Sequence, residues 1–213
     1  FPKGLILRLE AGQRGHYEYP ALGVDLNRLG LSAKVKKVDS GLANTAQENN
    51  GSPYIGNINY ATAMNLVKSL PASMPLNLRL YVDFLNEAIT GARNDKRVYL
   101  FDSKGEQIRR TQVPVILDKV VDEIISARAP YHGEWINQSF TFDENNKLPV
   151  AYCIPRKDGK VVEVKEPLDD CLLDNRLPGI DINDWLKNAT SQGVPRRNAP
   201  TGDLWYSYPT DKT

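Results

Sequence analysis

The chain has 213 residues, 41% apolar and 25% charged, with 27 basic and 26 acidic side chains for a formal net charge of +1. That length and balance suit one globular domain, 1–213, with room for a loop-rich C-terminal subdomain from about residue 166. The near-zero charge excludes a global field for nucleic acid or an anionic membrane, and no apolar run approaches a membrane span.

The segment GLILRLE (4–10) alternates Leu5, Leu7 and Leu9 with Ile6 and Arg8, which predicts an opening strand with one buried face, ended by residues 12–15. From Tyr17 to Val38, short apolar pairs broken by Pro20, Gly23 and Gly30 read as short strands or turns. Lys34, Lys36 and Lys37 fit a solvated strand face as well as a phosphate patch. The Asn-, Gly- and Ser-rich stretch 40–56 reads as a long loop, a place where function often resides.

Two short amphipathic helices follow within 57–91. Tyr60, Ala63, Met64, Val67 and Leu70 make one stripe, and Leu78, Tyr81, Val82, Leu85 and Ala88 the next. Pro71 and Pro75 separate them, Asn77 is placed to cap the second, and Gly91 to take the left-handed position at its end. Each is too short to hold alone in water, so both must bury their stripes on a larger surface, expected to be a sheet.

Residues 98–101 and 107–110 flank a turn at SKGE and predict a hairpin. The stretch 93–110 carries Arg93, Lys96, Arg97, Lys104, Arg109 and Arg110 against Asp95, Asp102 and Glu106, a local +3, without the interleaved aromatics of a nucleic-acid platform beyond Tyr99 and Phe101. Pro114 opens a third helix whose apolar face is read as Val115, Ile116, Val120, Ile124 and Ala127 with Lys119 and Glu123, ending before Pro130. Residues 135–142, 148–154 and 161–164, joined by DENNK and RKDGK, predict a three-stranded antiparallel meander as the platform for the helix pair. His132, beside Tyr131 and Trp135, reads as a packed or capping residue; a general base would need a partner that spacing does not supply.

The stretch 166–184 holds Glu166, Asp169, Asp170, Asp174, Asp181 and Asp184 against Arg176, a local −5. Asp174, Asp181 and Asp184, with Asn175 and Asn183, offer oxygen ligands for calcium, although the spacing is not that of a helix-loop-helix calcium loop. The alternative is a solvated loop with Asp181 or Asn183 capping a short helix through Trp185 and Leu186. Cys153 and Cys171 either pair or stay as buried thiols, and with only His16 and His132 a structural zinc site is not supported. LWYSYP near the end is an aromatic strand that packs inward or forms a binding surface of Trp205, Tyr206 and Tyr208. Asn-x-Ser/Thr triplets at Asn50, Asn137 and Asn188 matter only in a secreted eukaryotic chain. The chain opens at Phe1 without Met and without a charged-then-apolar leader, so a removed leader or a trimmed start is expected; the compartment stays open, a cell or virion surface included.

The helix pair YATAMNLVKSL and LRLYVDFLNEA, with Ala63-Met64 and Pro75-Leu76-Asn77 before Tyr81 and Phe84, followed by an irregular middle and late Trp and Tyr strands, resembles the C-type lectin fold. It is similar to the formylglycine-generating-enzyme-like branch that includes variable proteins of diversity-generating retroelements, over residues 57–91 and more loosely 131–208. The resemblance implies a scaffold that displays side chains from a rigid α+β fold. It departs from that branch in two ways: the closing Trp-, Gly- and Arg-rich segment is not among these residues, and the copper-binding cysteines of the oxidase members have no counterpart.

The function expected is therefore a non-enzymatic module that binds a protein or small-molecule ligand through residues 40–56 and through Trp185, Trp205, Tyr206 and Tyr208, with no cofactor or with calcium. Nucleic acid is disfavoured as a partner. Two other classes stay open. One is a metal-dependent hydrolase or nuclease using Asp169, Asp170, Asp174, Asp181 or Asp184 with His132, and the other is an oligomeric subunit of a filament, virion or surface assembly.

Overall fold

The computed structural model describes residues 4–27, 46–49, 52–55, 60–70, 73–125, 136–140, 149–172 and 176–206. In chain order, β1 (Ile6–Leu9), β2 (Gly12–Arg14), β3 (Tyr17–Tyr19) and β4 (Leu22–Asp25) precede the pair β5 (Ala46–Asn49) and β6 (Ser52–Ile55). Then come α1 (Tyr60–Lys68), α2 (Leu78–Ala92), β7 (Leu100–Phe101), α3 (Val113–Ile125), β8 (Gln138–Phe140), β9 (Pro149–Pro155) and β10 (Val161–Pro167). The described chain closes with β11 (Arg176–Ile180), α4 (Ile182–Asn188) and β12 (Leu204–Tyr206). The fold is mixed α+β, and every strand pair among the described residues is antiparallel. No described helix is long and apolar enough to cross a membrane.

β1 lies between β4 and β7. Its alternation works as expected: Leu5, Leu7 and Leu9 are fully buried, each contributing about 1.5–3 kcal/mol of apolar burial. The predicted meander forms with β9 in the centre, Val150, Tyr152 and Ile154 turned into the core. Both sheets, α2, α3 and the later residues Leu172, Ile180, Trp185 and Ala199 share one apolar cluster.

α2 is the hub. Its most extensive packing is on α3, with further contacts to α4 and β1, so its chief partner is another helix rather than the meander. Being covered on several sides, it buries Leu80, Phe84 and Ile89 as well as the expected Val82, Leu85 and Ala88, while Leu78 and Tyr81 sit half-buried at the margin. Asn77 caps it as predicted. Gly91 does not end it: the left-handed position belongs to Asn94 (φ 58°), and Asp95 N–H closes back on Thr90 C=O at 2.9 Å. Gly91 is instead a packing glycine, where a Cβ would lie 2.4 Å from Leu117 Cδ1 and 2.9 Å from Val98 Cγ2.

Three other expectations are corrected. Residues 12–15 do not merely end β1, because β2 and β3 form a hairpin there. In α3 the buried residues are Val113, Leu117 and Val120, while Val115 is 61% exposed; two residues along a helix is a rotation of about 200°, so Val115 and Leu117 cannot share a face. Within 40–56, residues 46–49 and 52–55 form a hairpin, not a loop. The Asn50-Gly51 dipeptide between the paired Asn49 and Ser52 is the sequence signal for it. The turn around SKGE closes, with Asp102 N–H donating to Glu106 C=O and the Asp102 carboxylate accepting from the Lys104 and Glu106 amides, but the expected second arm 107–110 is not a strand: a single bridge, Phe101↔Gln107, joins it to β7, whose strand partner is β1.

Candidate functional site

A polar seam runs where the β2–β3 hairpin, the first half of α2, the turn after β10 and residues 190–194 meet. Helical spacing puts Arg79, Asp83 and Glu87 on one face of α2. Asp83 accepts from both sides, at 2.7 Å from Arg14 Nε and 2.7 Å from Arg79 Nη2. Arg79 also donates to Thr190 C=O at 3.1 Å, and Arg14 to Glu10 C=O. The Arg14 guanidinium stacks 5.6 Å from the centre of the Tyr19 ring, and its buried Nη1 finds no hydrogen-bond acceptor there. Beside this triad lies an open groove of about 420 Å³, lined by residues 10–15 with Arg79, Asp83 and Glu87.

Deeper in the seam, Glu166 gathers three donors: Tyr152 Oη at 2.6 Å, Gln192 Nε2 at 2.8 Å and Tyr17 Oη at 3.0 Å. Burial, then the hydrogen bond to Glu166, raises the pKa of both phenols, that of Tyr152 furthest. Gln192 is 2% exposed and fully used, accepting from Asp169 N–H and donating also to Pro167 C=O. Segment 190–194 can press this closely because residue 193 is glycine: φ is 86°, and a Cβ would fall 2.5 Å from Arg79 N.

Asp169, Ser191 and His16 invite comparison with a nucleophilic triad, but their order is wrong for one. Ser191 Oγ donates its single proton to Asp169 Oδ2 at 2.5 Å, which leaves His16 Nε2, 3.2 Å away, to donate to the serine oxygen. A triad needs the imidazole between carboxylate and nucleophile. The neighbouring amides that could receive an oxyanion are engaged: Gln192 N–H on Asp169, Gly193 N–H on Thr190 C=O, and Thr190 N–H on Val194 C=O.

The acidic stretch is similarly occupied. Asp181 Oδ1 caps α4 by accepting Asp184 N–H at 2.7 Å. Asp184 accepts from both Arg196 Nε and Nη2 and from Asn188 Nδ2, and the Arg196 hydrogen bond leads in holding its pKa below the usual carboxylate range. Asp170 pairs with Arg197. Among the described residues, no three His, Cys, Asp or Glu side chains converge as a metal set. Asp174, His132 and Tyr208 lie outside the described residues, as do Lys34, Lys36 and Lys37.

Trp185 sits in the core at 7% exposure with its indole N–H on Gly193 C=O at 2.8 Å, so the structure gives it a packing role. Trp205 and Tyr206 belong to β12, which pairs with β11 through Arg176↔Tyr206 and Ile180↔Leu204. Both cysteines are buried and free, and burial pushes the Cys171 thiol up to about 11. In the basic stretch, Lys96 pairs with Glu87, and Arg97 lies 4.9 Å from the centre of the Tyr99 ring. The seam residues Arg14, Arg79, Asp83, Ser191 and Gln192 were not singled out by the sequence; the i, i+4, i+8 polar row on α2 was the one local sign of them. Compared with known protein families, curated proteins and solved structures, the chain matches none.

Proposed function

We propose that this chain is a non-enzymatic recognition module, a rigid α+β scaffold of C-type-lectin-like kind that presents side chains to a protein or small-molecule ligand. One observation carries the reading. Each described carboxylate of the acidic stretch accepts hydrogen bonds from this chain: Glu166, Asp169, Asp170 and Asp184 each reach another segment, and Asp181 caps its own helix. A hydrolytic centre would instead turn such groups toward open space as ligands, bases or nucleophiles.

The double substitution Asp181→Asn and Asp184→Asn separates the two. Asparagine keeps an acceptor for the α4 cap, so the fold should survive. The module should hold its binding pattern on printed glycan and peptide arrays, with and without chelator. Metal-dependent phosphodiester or ester hydrolysis by the parent chain, lost in the double variant, would replace this reading with the hydrolase one.

A further inference from the structure

We infer that the outer face of the β4–β1–β7 sheet is a docking surface for an acidic peptide segment of a partner protein, one in which carboxylates stand beside apolar side chains. Such a surface presupposes the recognition function proposed above and names the chemistry of its ligand. All of its residues lie in the described stretches 4–27 and 73–125.

Strand alternation builds the face. Leu7, Val24 and Leu100 lie side by side across the sheet and are buried, so their neighbours along each strand turn outward. Ile6 lies opposite Phe101, and Arg8 N–H donates to Tyr99 C=O at 3.0 Å, which sets Arg8 opposite Tyr99. Residues 107–109 extend the face beyond β7. Phe101 bridges Gln107 and Ile108 N–H donates to Leu100 C=O at 2.8 Å, so the same register sets Arg109 beside Tyr99. Two rows result, about 7 Å apart. One holds Arg8, Tyr99 and Arg109, with the Arg97 guanidinium 4.9 Å from the centre of the Tyr99 ring; the other holds Ile6, Phe101 and Gln107.

Charge and exposure select the occupant. Arg97 and Arg109 are exposed, and neither meets a carboxylate of this chain. Arg8 meets Glu10 at 3.1 Å, but with the two side chains 47% and 60% exposed that pair is weak enough to exchange. Asp25, at the far side of the sheet, is taken by Asn27. Three guanidinium groups beside the half-buried Ile6, Tyr99 and Phe101 complement carboxylates set next to apolar side chains. A guanidinium stacked on a ring keeps its N–H edge for a bidentate carboxylate. Single-stranded nucleic acid fits less well, because it needs successive bare ring faces and Arg97 covers one face of Tyr99.

The test pans the whole chain against a random dodecapeptide library and measures the selected peptides by fluorescence anisotropy. Peptides with Asp or Glu beside apolar residues should be enriched. Their Kd should rise with salt, and at least tenfold in the double variant Arg97→Glu and Arg109→Glu. Both side chains are exposed, and an unchanged urea midpoint shows that the variant folds. Lys157→Glu, a reversal in the β9–β10 turn at an exposed side chain, should bind as the wild type does. No enrichment, selected peptides without acidic residues, or acidic ones that bind the double variant undiminished would overturn the inference. Oligo-dT bound by the wild type and lost in the double variant, with no acidic peptide selected, would assign the face to nucleic acid instead. The hydrolysis assay above decides the recognition reading separately.

Discussion

Asn77→Ala isolates the junction on which α2 depends. Asn77 is wholly buried, and one side chain does three things: Oδ1 accepts Leu80 N–H at 2.9 Å, and Nδ2 donates at 3.0 Å to both Tyr19 Oη and Cys153 C=O. It joins the cap of α2 to the β2–β3 hairpin and to the central strand of the meander. Losing the cap costs about 1 kcal/mol, and two buried partners left short of a hydrogen bond cost about 1–3 kcal/mol each, so about 3–7 kcal/mol in total is expected. For a chain of this size that is a fall of about 6 °C or more in melting temperature. Asn77→Asp keeps the cap acceptor but sets a carboxylate oxygen against the Cys153 carbonyl, and should rescue only part of the loss. Urea denaturation with matched m-values measures both; a loss under about 1 kcal/mol for the alanine variant would show that the two cross-links contribute nothing beyond the cap.

Other outcomes follow from the same packing. Gly193→Ala meets backbone 2.5 Å away at a φ of 86°, and should lose about 2 kcal/mol or more in chemical denaturation; an unchanged midpoint would refute the close approach. Tyr152, Tyr19 and Tyr17 have their pKa values raised by burial above the ordinary 10.0. The unfolded chain thus releases protons above pH 10 that the folded chain keeps, and stability, intact below about pH 9, falls as pH rises, by up to about 1.4 kcal/mol per pH unit for Tyr152. Tyr152→Phe should flatten that slope between pH 10 and 11, and a wild type with constant stability to pH 11 would contradict the burial. Cys153 and Cys171, at 7% and 2% exposure, should resist a thiol reagent in native buffer and both react after denaturation; rapid native labelling of either would place it at the surface.

Local rules made much of this fold legible. The leucine alternation of β1, the Asn77 cap, the turn around SKGE and the meander each follow from residues within a few positions of one another. Errors arose where tertiary packing outweighed a local sign. Gly91 looked like a helix terminator, but the approach of Leu117 and Val98 decides its role. The apolar content around α3 did not say which face turns inward until α2 was in place. At Asn50-Gly51 the local signal was present and was outweighed by the polar composition around it. The seam is a different case: Arg14 reaches Asp83 across 69 residues and Tyr17 reaches Glu166 across 149, so no spacing in the sequence announces either contact.

The reading of the acidic stretch as internal ties rather than an ion cage meets its most direct test in isothermal calorimetry of chelator-treated protein with calcium. No saturable heat and no change in melting temperature are expected, since Asp181 and Asp184 are already taken by the α4 cap and by Arg196. Tight binding at a single site, abolished by Asp184→Asn, would contradict it and make the stretch a metal centre.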